Sequence, residues 1–232
     1  MAAPVTPAVD FLAERPGRVA GVGYALHPNG AMVYRLYDLR VDDPLKLARF
    51  ERLYRQAAPA DPVYFRPIER WEAPVLDRLG VRWVMTGPGD PPALPGWRLA
   101  YDGPDARVWE RPGALPVVRG EGVAALDVLD RQPGRWLLAA EALSGAELTI
   151  AETWDPGWRA RVGGRPVPLP EGELLRLALP EGSHRVELVY VAPGFWLGVA
   201  VSLAAVVLWL WWTKWTWWTR WTEDRSRRAA VP

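Results

Sequence analysis

Twenty-four consecutive residues, Val189 to Trp212, carry no charge. A helix rises about 1.5 Å per residue, so roughly 20 apolar residues cross a hydrocarbon core about 30 Å thick. The inner part, FWLGVAVSLAAVVLWLWW from Phe195 to Trp212, has no polar face, unlike the amphipathic helices that pack on soluble cores. Pro193 stands where a helix begins, and Trp196, Trp209, Trp211 and Trp212 fall toward the two ends, where indole favours the lipid interface. The expectation is a single transmembrane helix over 193–213, followed by a Trp-rich and then basic tail over 214–232.

Flanking charge sets an expected orientation. The tail carries Lys214, Arg220, Arg225, Arg227 and Arg228 against Glu223 and Asp224, a net of +3, whereas the residues before the span sum to −2. Cytoplasmic flanks collect Lys and Arg, so the C-terminus is expected in the cytoplasm and the large N-terminal part outside. The opening MAAPVTPAVDFLAERPG has neither a basic n-region nor an apolar h-region, so no signal peptide is read there. That leaves two expectations: a longer protein with upstream segments, or a tail-anchored chain whose domain stays inside. Between Trp212 and Glu223 the order is WTK, WTW, WTR, WTE. A period of three holds no helical face, so this reads as a repeat in the coding sequence rather than a binding surface. Its consequence is an interfacial extension, with Lys214 and Arg220 able to reach lipid phosphates.

The polar part is bounded by composition. With no Cys and only His27 and His184, disulfide scaffolds, Cys-ligated metals, thiol nucleophiles and His-rich centres are excluded. The 21 Gly and 24 Pro favour short elements joined by many turns. Arg far outnumbers Lys, yet acidic residues interleave with it, so no nucleic-acid surface is expected. The two glycines of GVG at 21–23 lack the rest of a dinucleotide fingerprint, and no motif points to a cofactor or a metal.

Local signals predict an α+β chain in two parts. Over 1–112 a small mixed α/β unit is expected. It contains a helix opening at Thr6-Pro7, a strand over 18–22, and a helix after Asp43-Pro44 bearing Leu45, Leu47, Phe50, Leu53 and Tyr54. A helix over 73–79 stopped by Gly80, a strand over 81–86 and a hairpin over 98–110 with a DGPD turn complete it. Over 113–192 short strands recur at 136–140, 147–154, 158–164, 166–170, 174–180 and 184–191, separated by Gly and Pro turns. That spacing predicts an antiparallel β-sandwich whose last strand runs through Ala192-Pro193 into the span, a short link that would hold it near the bilayer.

Two clusters could carry chemistry. Trp154 and Trp158 flank the Asp155-Pro156-Gly157 turn, with Arg159 following. Two indoles beside an Asp and an Arg can stack on a sugar ring and bond its hydroxyls, so this is a candidate glycan site; the alternative is that they plug one end of the core. His27, Asn29, Asp38, Arg40 and Asp43, with Tyr34 among them, gather in the least regular segment, where binding residues concentrate. An Asp and a His there could act as acid and base; ordinary capping and turn roles are the alternative.

Four stretches, taken in order, resemble a known family. RVAGVGYALHPNGAMVYRLYDLRVDDPL, VLDRLGVRWVMTGP, ETWDPGWRARVGGRPVPL and LRLALPEGSHRVELVYVAPGFWLG resemble the C-terminal region of the bacterial YfhO-like membrane proteins, across nearly all of residues 5–210. That family is similar to the multi-span glycosyltransferases that use lipid-linked sugars. The resemblance implies the external domain and last helix of such a protein in the bacterial cytoplasmic membrane. The acidic catalytic residues of that class lie between earlier membrane helices, so none is carried over to this chain. Where the family has Gly-Tyr-Asp-Pro, this sequence has Val41-Asp42-Asp43-Pro44.

Three functions are open at this point. One is a membrane-anchored accessory domain, non-catalytic alone, serving a multi-span subunit and envelope glycan or a lipid-linked sugar. The second is a standalone tethered hydrolase or transferase using Asp38, Asp42 or Asp43 with His27. The third is a structural adaptor pairing through its membrane helix at Gly194 and Gly198.

Overall fold

The computed structural model describes residues 5–40, 46–60, 66–89 and 94–229, with side chains described as far as Trp215. Asp42, Asp43 and Pro44 lie outside the described residues. The chain is mixed α+β, with two β-sheets and one C-terminal apolar helix, and it divides into two compact units, Met1–Val189 and Tyr190–Pro232.

The first sheet has the order β1-β2-β4-β3, from β1 (Arg18–Gly21), β2 (Val81–Thr86), β3 (Arg98–Asp102) and β4 (Arg107–Glu110). β1 pairs parallel to β2, and the other two pairings are antiparallel. A parallel pair needs a long crossover. Here it carries a 3-10 helix (Gly30–Tyr34), α2 (Ala48–Tyr54) and α3 (Pro74–Arg78). β1 is buried throughout, and β2 nearly so, because both faces of the sheet are covered. Ala20, Val81 and Val84 join Leu53, Tyr54, Val75, Leu76 and Leu79 of α2 and α3 and the turn after it. Val19, Trp83, Met85 and Val108 join Ala8 and Leu12 of α1 (Pro7–Ala13). Pro7 opens α1 as the sequence predicts, but the Thr6 side chain does not cap it. Instead Asp105, in the β3–β4 turn, accepts a bond of 2.8 Å from the Ala8 N–H.

The second sheet holds β5 (Val118–Gln132), β6 (Arg135–Thr153), β7 (Trp158–Val162), β8 (Arg165–Val167), β9 (Leu174–Leu179) and β10 (Gly182–Tyr190). Hydrogen bonding joins all six into one sheet, ordered β5-β6-β10-β7-β8 with β9 beside β6. β5 lies where no strand is expected from the sequence. Its pairing with β6 has three register shifts, which break the alternation of its side chains, and it is mostly exposed. The separate strands expected at 136–140 and 147–154 are one strand, β6. Its partner along one edge changes from β10, paired as far as Ala142, to β9, paired from Ala146. Inward-facing Trp136, Leu138, Leu148, Ile150, Leu175, Leu177, Val186 and Leu188 build one apolar cluster.

The second unit contains α4, Phe195–Ala229. Its segment Phe195–Trp215 is 21 residues long and contains an 18-residue stretch with a mean hydropathy of 2.0 and no buried part, so it is long and apolar enough to cross a membrane. The helical backbone continues through the Trp repeat and the basic tail, where the sequence suggests a separate segment.

Candidate functional site

The WDPGW corner links β6 to β7. Asp155 makes it turn by accepting, at Oδ1, a 2.8 Å bond from the Gly157 N–H. The Trp154 indole N–H donates 3.3 Å to the Leu169 carbonyl, and its ring lies 4.9 Å from the Arg49 guanidinium carbon. Arg49 is itself held by the Gly172 carbonyl and the Glu171 carboxylate. Trp154 and Trp158 are half-buried against the sheet's apolar cluster. Arg159 is exposed and bends back to the Pro156 and Trp158 carbonyls. The four residues are thus brought together, and the described polar groups of Trp154, Asp155 and Arg159 hold the corner's own shape.

The second cluster sits on the loop between β1 and α2. Asp38 and Arg40 are both buried, with side chains 5% and 2% exposed. Asp38 Oδ1 accepts from the Arg40 backbone N–H at 2.9 Å and from Nε at 3.3 Å, while Oδ2 lies 3.0 Å from Nη2. The other guanidinium bonds go to the Gly23 carbonyl, at 3.1 Å, and the Leu26 carbonyl. One buried ion pair therefore ties down residues 23–26. Burial raises the Asp38 pKa above the usual carboxylate range, while the Arg40 charge and hydrogen bonds act in the opposite direction. His27 lies on the exposed side, its ring stacked on Tyr24 at 5.7 Å and its Nδ1 2.8 Å from the Pro28 carbonyl. Asn29, at φ 69°, turns the chain into the 3-10 helix.

A third cluster escapes sequence reasoning. Arg18, at the start of β1, is buried, donates 2.9 Å to the Leu79 carbonyl and lies 3.7 Å from Glu152 of β6. Tyr37 stacks beneath it, 4.0 Å from the guanidinium carbon, and also receives Arg131 of β5 at 3.2 Å. Arg131 reaches Trp136 as well, at 5.0 Å. Loss of water, and then the Arg18 charge, push the Arg131 pKa down to about 10. Burial raises Glu152, against the attraction of Arg18. The signal for this seam is a charged residue opening a short strand, RVAG, whose every position is buried.

An open groove of about 380 Å³ crosses the outer face of β5, β6 and β10. Ala125 and Ala139 lie along it beside Asp127, Glu141, Ser183 and Arg185. Among the described residues no group of three His, Asp or Glu side chains is placed to hold a metal ion. No family model, curated protein or solved structure matches the chain.

Proposed function

We propose that this chain is the membrane-anchored extracytoplasmic accessory domain of a multi-span glycosyltransferase-like protein of the bacterial cytoplasmic membrane. It is non-catalytic alone, and it orients an envelope glycan or lipid-linked sugar for the multi-span body. One observation carries the reading: a helix apolar enough to cross a membrane follows a domain in which the described candidate acid, Asp38, is held in a buried ion pair. Asp38 holds Arg40, Glu110 holds Arg82 and Arg98, Asp77 holds Arg111 and Asp155 shapes its turn. A hydrolase acting through Asp38 would have to release that carboxylate from a buried ion pair.

The order of YfhO-like motifs supports the family part of the reading, and the +3 tail supports a cytoplasmic C-terminus. The sheet folds on itself as a sandwich in this reading. Its support is that breaks in the ribbon fall at one level, Gly122 beside Ala146 and the step from β9 to β10 at Pro180-Glu181. The WDPGW corner then offers two half-exposed indoles and Arg159 on a rigid base, as a sugar ring requires.

The test is a deletion strain whose envelope glycans are profiled, together with titration of those glycans into the full chain in lipid nanodiscs. Altered glycosylation, with binding lost in W158A, is expected. Unchanged glycosylation together with no binding would overturn the proposal.

A further inference from the structure

Tyr24, Met32 and Val33 are 70%, 70% and 65% exposed, which makes them the most exposed large apolar side chains described outside α4. All three lie within ten residues of one loop. Exposed apolar residues scattered singly need no explanation, but a local group of three does.

This loop is not exposed through looseness. Leu26 and Ala31 fix it from beneath in the cluster around Trp83 and Met85. Arg40 fixes it from within through the Gly23 and Leu26 carbonyls. Gly21 is part of the same fit, because a Cβ there would meet Arg40 Nη2 at 2.5 Å and Leu26 Cβ at 2.7 Å. At either end of the 3-10 helix stands a non-glycine residue in the left-handed region, Asn29 at φ 69° and Arg35 at φ 56°. Such residues are strained and persist where the surroundings dictate them. Buried charge and backbone strain are thus both spent on a loop that holds Tyr24, Met32 and Val33 in solvent.

The composition of the loop indicates what covers it. A phenol, a thioether, a branched aliphatic and the exposed Arg35 form the mixture that enters a lipid interface, apolar groups inward and a cation at the phosphates. The same chain supplies the membrane, since only residues 191–194 lie between β10 and α4. An anchored domain meets its own bilayer at high effective concentration, so a contact too weak to recruit a free protein is sufficient.

We propose that residues 24–35 form a second membrane contact, with Tyr24, Met32 and Val33 in the interfacial layer and Arg35 at the lipid phosphates. This rests on the reading that α4 spans the bilayer. The absence of Cys allows a clean test on the full chain. Three single variants, M32C, L203C and E181C, are labelled with an environment-sensitive fluorophore and reconstituted into phosphatidylglycerol–phosphatidylcholine vesicles. Quenching is measured with spin-labelled lipid and with aqueous iodide. Leu203 lies within the span, and Glu181 is an exposed position between β9 and β10. Labels at 32 and 203 are expected to be quenched by the lipid probe and shielded from iodide, and the label at 181 the reverse. If 203 is quenched by lipid while 32 behaves like 181, the loop contact is overturned and the anchor stands. A label at 32 shielded from both quenchers would overturn it too, in favour of a protein cover. Failure of the 203 label to meet lipid would overturn the anchor and this contact with it.

Discussion

The two irregular corners of the domain are held in opposite ways. At the WDPGW corner the turn is made by Asp155 two residues from its partner, and the indole of Trp154 reaches only to Leu169. In the 21–40 loop, Arg40 reaches back to Gly23 and Leu26, and its charge is balanced by Asp38 in a site closed to water. The first corner relies on local bonds and exposed or half-exposed guanidinium contacts, where water can replace any bond that is lost. The second uses a buried pair, where removal of one partner strands the other charge in a poor dielectric. The lesson concerns fragility: the irregular segment that looks freest in sequence is the one least able to lose a side chain.

The sharpest way to break this contrast is D38N. It keeps shape but leaves Arg40 charged and buried without its counter-ion, a loss of about 3–5 kcal/mol. Thermal and denaturant unfolding of the full chain in detergent micelles should show it, and an effect as small as that of D155A would end the comparison. Next comes G21A, whose new methyl must displace Arg40 or Leu26. Overpacking of this kind costs about 1–3 kcal/mol, measured as a shift in the unfolding midpoint at unchanged slope.

At the other corner, W154F removes the bond to Leu169, and D155A removes the turn bond to Gly157. Each should cost about 1 kcal/mol in the same measurement. The smallest effect is in pH dependence. Hydrogen bonds from Arg98 and then Arg82 hold Glu110 below its ordinary pKa. Its contribution is present above the unfolded-state value and is lost as pH falls through the depressed folded one. Glu152, raised chiefly by burial, acts oppositely, its folded form gaining stability as pH falls through the raised value. Acid unfolding curves should therefore flatten in E110Q and steepen in E152Q.

Most element boundaries of the first sheet were legible because they rest on local signals, such as Pro7 opening α1, Gly80 closing the α3 turn at φ 71°, and alternation along 98–110. β5 was not legible: its bulges break the period, and its place depends on the ladder to β6 rather than on a buried face. Glu141 to Gly145 reads as a turn between strands, yet β6 runs through it because its neighbour changes there from β10 to β9. For the candidate sites, the four residues of the WDPGW corner were legible as a group because they are contiguous. The pairing of Asp38 with Arg40 was not, nor was the seam of Arg18, Tyr37, Arg131 and Glu152, whose members come from distant strands and loops.

By itself the sequence determined an apolar segment long enough to cross a membrane, the absence of thiol chemistry and the turn at Asp155, since length, composition and local backbone preference need no partner. Only the tertiary structure decided which charges are buried and which apolar groups face outward. Nothing in the sequence marks Arg18 or Arg40 as buried, or Met32 and Val33 as exposed. Burial is a property of what packs alongside, and for the residues of the 21–40 loop that is set by chain segments far from them in sequence.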